Sequence, residues 1–406
     1  MSTANIKSPF FRRVYGSYTT EQATRILSLY RAAPPFLRLL DPFCGLGSLL
    51  PTLVTRGHSV DAIDVNPVAI AFVELKRPEY LRVSQQAVAV LEVVLKHLPS
   101  TISSSSVRFE QGWLTDDIAD WLRRYSQLVK RHTPAGGLRD EHEAIVRALT
   151  RLPLLTARDL TTYSSSDNAS WLKAGGLRRT IDVRASISTA AHAWVAYLKN
   201  AYPQDPIGTL TVSVGDARSL AAEAEYDGVV FSPPYANRLD YVRMLAPEFA
   251  VLEALAGDVA RVSPSQLLGT TVVRNSMPDP LTVRSLPVCA RRALEEIRHA
   301  KAKASSSYYY PFFANYAIGL DSSIRHVARA LRPRGRGLIF VRDTPRKDVL
   351  FPTGQIIASI LRSSECTVQA SSRVVTHHIG MRRRRTHVSL QGLAQREWTI
   401  AFQRRP

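Results

Sequence analysis

The chain has 406 residues, 45% hydrophobic and 21% charged, a globular balance that excludes a wholly disordered polymer. Lys and Arg number 53 against 34 Asp and Glu, a formal charge of +19; this favours a polyanionic partner, nucleic acid foremost, although an arginine-rich proteome gives the same excess. Cys44, Cys289 and Cys366 form no CxxC pair, which argues against a disulfide framework or zinc cluster and fits a reducing cytosol. The start, MSTANIKSPFFRR, has no apolar signal region, and no run of about 18 apolar residues occurs, so a cytoplasmic protein without a membrane span is expected.

In chain order, residues 37–41 (LRLLD) read as a short buried strand, followed by a Gly-bearing turn, PFCGLG, and a helix-like run, SLLPTLVTRG. Residues 59–63 (SVDAI) read as a second strand ending at Asp64, and VNPVAIAFVELKR opens another helix. Strand, turn, helix, strand is one βαβ unit, which implies parallel strands and a right-handed crossover. From 81 to 207, amphipathic pieces alternate with polar breaks such as TISSSSVR, with little strand signal. The pattern predicts a helical insertion, longer than ordinary core connections and therefore a candidate for substrate recognition. The α/β pattern returns at 209–217 (TLTVSVGDA) and 226–235 (YDGVVFSPPY), with a helix at 244–256. Residues 257–307 are irregular, then helical and basic, a second insertion. A helix near 314–331, a turn RPRG, the strand GRGLIFVR and strands around 366–379 and 396–403 complete the chain. The expected division is core (1–80), helical insertion (81–207), core (208–255), second insertion (256–307) and core (308–406).

Four stretches carry chemistry. Asp41-Pro42-Phe43-Cys44-Gly45-Leu46-Gly47 stands where a strand ends and a helix begins. Glycine permits a tight turn that brings amide N–H groups to a ligand, and the end of the first strand is the expected crevice of an open parallel sheet. A lone GxG reads equally well as a plain turn. Asp64, 17 residues beyond Gly47, can accept hydrogen bonds from both hydroxyls of a ribose. Alone it reads as a helix N-cap; with the glycine turn before it, nucleoside binding is the better reading. Leu50 stands where the dinucleotide fingerprint has its third glycine, which weakens a nicotinamide reading. Asp216 can hold an adenine amino group, or simply close a strand. Ser232-Pro233-Pro234-Tyr235 follows the apolar strand 228–231. Its prolines fix φ and supply no N–H, leaving rigid carbonyl acceptors beside an aromatic ring, which suits a planar base bearing an NH₂ group. A proline-stiffened turn is the plainer alternative.

Together these stretches resemble the amino-methylating DNA methyltransferases, the N6-adenine and N4-cytosine family. DPFCGLG looks like the cofactor motif, DAIDVNP the acidic motif and SPPY the catalytic motif. ANRLDYVRMLAPEF is similar to the stretch after SPPY in an N4-cytosine-like branch. LRPRGRGLIFV resembles the turn before a core strand, MRRRR…REWTIAF the closing hairpin, and KSPFFRRVYGSYTTEQATRIL the N-terminal motif that lies against the cofactor. The resemblance covers 1–80, 208–255 and 308–406, and neither insertion.

The resemblance implies an α/β fold, a Rossmann-like S-adenosylmethionine-dependent methyltransferase core whose mixed seven-stranded sheet has helices on both faces, interrupted by the large helical insertion and the smaller one. It implies S-adenosyl-L-methionine as cofactor, with Phe43, Gly45 and Gly47 in contact, Asp41 at the methionine end, Asp64 at the ribose and Asp216 at the adenine. Tyr18 and Thr19 would lie beside the methionine moiety. Ser232, Pro233, Pro234 and Tyr235 would form the methyl-acceptor pocket. DNA is the implied partner, with an associated restriction or defence-system protein as a further one. Serine at the head of the tetrapeptide favours cytosine N4 over adenine N6. The long insertion does not occupy the family's usual target-recognition slot.

Outside the motifs, Arg238 is a candidate phosphate contact or a local bridge to Asp240. Arg382, Arg383, Arg384 and Arg385 are a candidate grip on the DNA backbone or a solvated loop. Tyr308, Tyr309 and Tyr310 read as core or hinge residues before base-stacking ones. His377 and His378, adjacent on a predicted strand, face opposite sides, so no metal site is expected there. An RNA base-amino methyltransferase and a non-catalytic nucleic-acid-binding subunit are the competing functions that share these motifs.

Overall fold

Short apolar runs build a seven-stranded sheet, and the amphipathic segments between them cover both of its faces. The computed structural model describes residues 18, 20–29, 36–103, 109–110, 112–134, 139–161, 163–164, 172–174, 180–203, 207–236, 241–257, 259, 262, 266–270, 280–301, 304–346, 349–374 and 396–406. The strands of the sheet are β1 (Arg38–Asp41), β2 (Ser59–Asp64), β3 (Thr209–Val214), β4 (Tyr226–Phe231), β5 (Leu331–Arg342), β6 (Cys366–Val374) and β7 (Arg396–Arg404). Their order is β6-β7-β5-β4-β1-β2-β3. The pairs β5–β4, β4–β1, β1–β2 and β2–β3 are parallel, whereas β7 runs antiparallel between β5 and β6. This is the expected mixed, Rossmann-like sheet. Its strand order reverses between β1 and β4, the point where open α/β sheets bind ligands.

Alternate side chains of each central strand enter opposite apolar layers, as period-2 geometry requires. Leu39, Val230, Leu338 and Phe340 enter one, and Leu40, Val229, Phe231, Ile339 and Val341 enter the other. Helices α1 (Thr20–Leu29), α2 (Leu50–Thr55), α3 (Pro67–Glu74), α4 (Tyr80–Lys96), α5 (Asp116–His132), α6 (Arg139–Arg151), α7 (Val183–Ala201) and α8 (Ala246–Ala256) contribute to the first layer. Helices α9 (Val288–His299), α10 (Tyr310–Ala330) and α11 (Thr353–Ser363) build the second.

The segment 81–207 is largely helical, as its periodicity predicts. In α5, Ile118, Leu122, Tyr125 and Val129 make one buried stripe. Thr115 caps its start by accepting from the Ile118 N–H, and acids in the first turn and bases in the last suit the helix dipole. These helices share one continuous apolar cluster with the sheet. Arg158 also reaches across to the buried Glu248 of α8, at 2.7 Å. Three ribbons of two or three residues per strand, 101–103 with 180–182, 109–110 with 114–115, and 163–164 with 173–174, escape sequence reading; an alternation so short leaves no period to detect.

Two boundaries differ from expectation. α10 begins four residues early, since Pro311 at its first turn is pre-set for a helix and a π-helical turn at 305–309 leads into it. The RPRG segment belongs to β5 itself, where a register shift opposite Tyr226 and Gly228 absorbs it as a bulge. Further along β5, Gly337 faces Phe402 of β7, and a Cβ there would lie 2.1 Å from the ring. Gly337→Ala is expected to destabilise the fold by about 2–4 kcal/mol. Urea denaturation reads this directly; an unchanged midpoint would mean that the ring swings aside.

Candidate active site

β1 and β4 are in register, with Leu39 opposite Gly228 and Leu40 opposite Val229. Their ends therefore finish side by side at one edge of the sheet. There the Phe43 ring packs on Phe231, with centroids 5.6 Å apart. The glycine turn and the Ser232–Tyr235 turn thus stand side by side where an open α/β sheet is expected to form its ligand crevice.

The glycine turn is held from several sides. Gly45 and Gly47 take φ of +48° and +62°, the left-handed region that disfavours a side chain. A Cβ on Gly47 would also lie 2.7 Å from Leu50 and 2.9 Å from Val73. The Cys44 N–H donates to the Ile63 carbonyl, and the Gly45 N–H donates to Asp64 Oδ2 at 3.0 Å. Asp64 Oδ1 accepts from the Asn66 N–H at 2.9 Å. The N-cap of α3 is Asn66, whose side chain accepts from the Val68 N–H, so the capping alternative for Asp64 falls away. Each oxygen of a carboxylate has two lone pairs, so the backbone N–H groups of Gly45, Val65 and Asn66 still leave Asp64 able to accept from a ribose hydroxyl.

Asp41 is buried and accepts from the Phe43 N–H. Burial pushes its carboxyl up to about 8, against the pull of that N–H and with added repulsion from Asp64. Burial likewise pushes Asp64 up to about 6, opposed by its backbone N–H partners. Because both folded values lie above the unfolded ones, ionisation destabilises the fold. The stability tied to Asp41 is full below about pH 4 and is lost as pH rises through about 8. Asp41→Asn is therefore expected to raise the Tm by a few degrees at pH 9 and to leave it nearly unchanged at pH 4. Equal shifts at the two pH values would contradict the buried, charged Asp41.

Across the crevice, the Ser232 hydroxyl donates to the Tyr235 hydroxyl oxygen at 3.3 Å. Burial raises the pKa of Tyr235. Tyr316 of α10 donates to the Pro234 carbonyl at 2.9 Å and pins the turn. Tyr18 packs edge-on against Phe340, with centroids 5.8 Å apart. Burial, then the charge of Asp41 and the neighbouring Tyr235, raise its hydroxyl pKa. Arg373 ties this N-terminal element down by bridging Glu21 of α1 and Glu397 of β7.

Asp216 caps the short turn 217–219 and holds Arg218 through a bidentate pair, with contacts of 2.6–3.0 Å. Burial would raise its pKa; the hydrogen bonds and charge of Arg218 outweigh that and keep the carboxyl below its ordinary value. Arg218 also donates to the Gln266 carbonyl. Gly269 lies against the Tyr235 carbonyl, so the segment 266–270 spans from Asp216 to the Ser232–Tyr235 turn.

Sequence reading missed three residues of this site. Lys76, buried just past the end of α3, donates from beneath the glycine turn to the Leu46 and Gly47 carbonyls. Burial lowers its pKa to about 8, with Cys44 acting in the opposite sense. Tyr316 and Arg218 are the others. Thr19, Arg238, Arg382, Arg383, Arg384 and Arg385 lie outside the described residues. Of the three consecutive tyrosines, Tyr310 enters the apolar layer, while Tyr308 and Tyr309 are half-buried on the π-helical turn.

No protein-family model matches the sequence, and no curated protein matches it. Solved structures with some likeness include a putative sarcosine dimethylglycine methyltransferase from Galdieria sulphuraria, at 8% identity and TM-score 0.31, covering 95% of this chain and 84% of that one. An S-adenosylmethionine-dependent methyltransferase from Methanosarcina mazei aligns at 9% identity and TM-score 0.28, covering 93% and 97%. An rRNA methyltransferase from Streptomyces viridochromogenes aligns at 12% identity and TM-score 0.27, covering 84% and 81%. The strand order, rather than these distant matches, defines the fold. Among the described residues no helix is long and apolar enough to cross a membrane.

Proposed function

We propose that the chain is an S-adenosylmethionine-dependent methyltransferase acting on the exocyclic amine of a nucleic-acid base, with cytosine N4 in DNA the preferred acceptor and adenine N6 the alternative. The observation that carries this reading is the adjacency of the glycine turn after β1 and the Ser232–Tyr235 turn after β4, joined by the contact of Phe43 with Phe231.

The crevice residues fit the cofactor. Two carboxylates, the buried Asp41 and the half-buried Asp64, suit a ligand that carries a sulfonium and an ammonium group, since an opposite charge favours their ionised forms. The remaining lone pair of Asp64 suits a ribose hydroxyl. Bound there, S-adenosylmethionine supplies an activated methyl group. The acceptor amine cannot reach the crevice from within a stacked duplex, so the base must be flipped into it.

An aromatic amine is a poor nucleophile because its lone pair is delocalised into the ring. The Ser232 oxygen, whose proton is turned toward Tyr235, can accept one amine hydrogen, and the Pro233 carbonyl the other. Those bonds favour a more tetrahedral nitrogen whose lone pair points at the methyl group. Tyr235 supplies the stacking face. Alignment then provides most of the acceleration.

Tritium transfer from labelled cofactor to duplex DNA and to RNA in parallel tests the reading. Counts in DNA support it, counts in RNA alone replace DNA as substrate, and cofactor binding without transfer to either points to a non-catalytic subunit.

A further inference from the structure

Opposite the crevice, at the edge where the parallel strands begin, the stretch 329–336 carries four arginines and no carboxylate. Arg329, Arg332, Arg334 and Arg336 are all exposed. The end of β7 adds to them: Arg404 donates to the Arg329 and Leu331 carbonyls, and exposed Arg405 follows. Arg332 pairs with Asp227 at 2.6 Å. Arg334 differs from its neighbours. Its φ is +64°, a left-handed conformation that a side chain disfavours and glycine does not. Its carbonyl accepts from Gln403, and no described residue pairs with its guanidinium. A strained, exposed arginine where glycine would fit better is a local cost that points to a task.

The basic edge also continues into a concavity. One turn before Arg329 on α10, Arg325 lines a groove of about 550 Å³ together with Arg292, Ser285, Cys289 and Ser359. Arg325 is itself paired with Asp321. Guanidinium forks match phosphate oxygens bidentately.

We propose that this edge is a second nucleic-acid docking surface, contacted by the phosphodiester backbone of segments flanking the target base. The proposal rests on the nucleic-acid reading of the active site. Along β5 the eight residue steps from Arg334 to Arg342 span roughly 26 Å, so this surface does not touch the flipped base itself. It lengthens the footprint.

The strain of Arg334 gives the test two readouts of opposite sign. In the full chain, Arg334→Gly should raise the Tm by about one to several degrees. It should also weaken binding of a 60-base-pair duplex about two- to threefold and reduce the magnitude of its salt slope by about 1. The triple variant Arg329→Gln, Arg334→Gly, Arg336→Gln should weaken binding by about tenfold or more. Anisotropy titrations from 50 to 300 mM salt, with thermal melts alongside, read both effects. Wild-type protein that binds no duplex and no RNA at low salt would sink the nucleic-acid reading itself. Wild-type binding with unchanged slopes in both variants would overturn only the second surface. Loss of binding to polyglutamate with duplex binding retained would also overturn it, reassigning the edge to an acidic protein.

Discussion

Tyr235→Ala is expected to lower kcat for methyl transfer by at least about 10²-fold while cofactor affinity stays within about threefold. The ring stands at the acceptor side of the crevice, on the turn that Tyr316 pins through the Pro234 carbonyl. Removing it takes away the face against which a flipped base is held and the oxygen toward which the Ser232 hydroxyl is turned. The glycine turn and Asp64 are anchored independently, by Ile63, Asn66 and Lys76, so cofactor binding survives. Ser232→Ala should act in the same direction through the lost acceptor, by about 10- to 100-fold. Activity at the wild-type level in either variant would remove the acceptor pocket. Loss of cofactor binding in step with activity would mean that the two turns are not separable.

Asp64→Ala is expected to raise the cofactor Kd by about 100-fold. Its carboxylate does two things at once: it holds the Gly45 N–H, fixing the turn, and it presents the free lone pair assigned to the ribose. Asp64→Asn removes the charge but also sets its amide NH₂ against the Gly45 or Asn66 N–H, so it too should weaken cofactor binding. The same group sets a pH dependence. With its carboxyl pushed up to about 6 by burial, wild-type affinity should rise as pH climbs from 5 to 7, because the ionised form is the better acceptor and the better counter-charge. Calorimetry across that range checks the sign. Affinity that is flat through pH 6 and unaltered in Asp64→Ala would place the cofactor elsewhere.

The sequence located the candidate residues whose placement local geometry controls. Asp41, Gly45, Gly47, Asp64 and Ser232–Tyr235 all lie just past short apolar runs, and a strand end fixes which edge of the sheet its next residues reach. The parallel start of the sheet followed from the same runs, whereas its mixed, seven-stranded form was implied by the family resemblance and its strand order came only with the structure. What stayed hidden depends on contacts between residues far apart in the chain. Tyr316 meets Pro234 across 82 positions and Lys76 meets Leu46 across 30, and no periodicity marks either. Asp216 was legible as a strand-end acid, but its pairing with Arg218 is a side-chain choice between neighbours that spacing does not encode. The capping alternative for Asp64 failed for a similar reason: Asp and Asn both cap well, and only the observed turn shows that Asn66 takes the role.

The most direct measurement is mass spectrometry of nucleosides from the DNA of a host expressing the chain, with the Tyr235→Ala variant as control. The two-turn crevice should yield N4-methylcytosine, or N6-methyladenine if the acceptor is adenine, with the control blank. DNA free of both, from cells holding folded protein that binds S-adenosylmethionine and flanked by equally unmodified RNA, would contradict it.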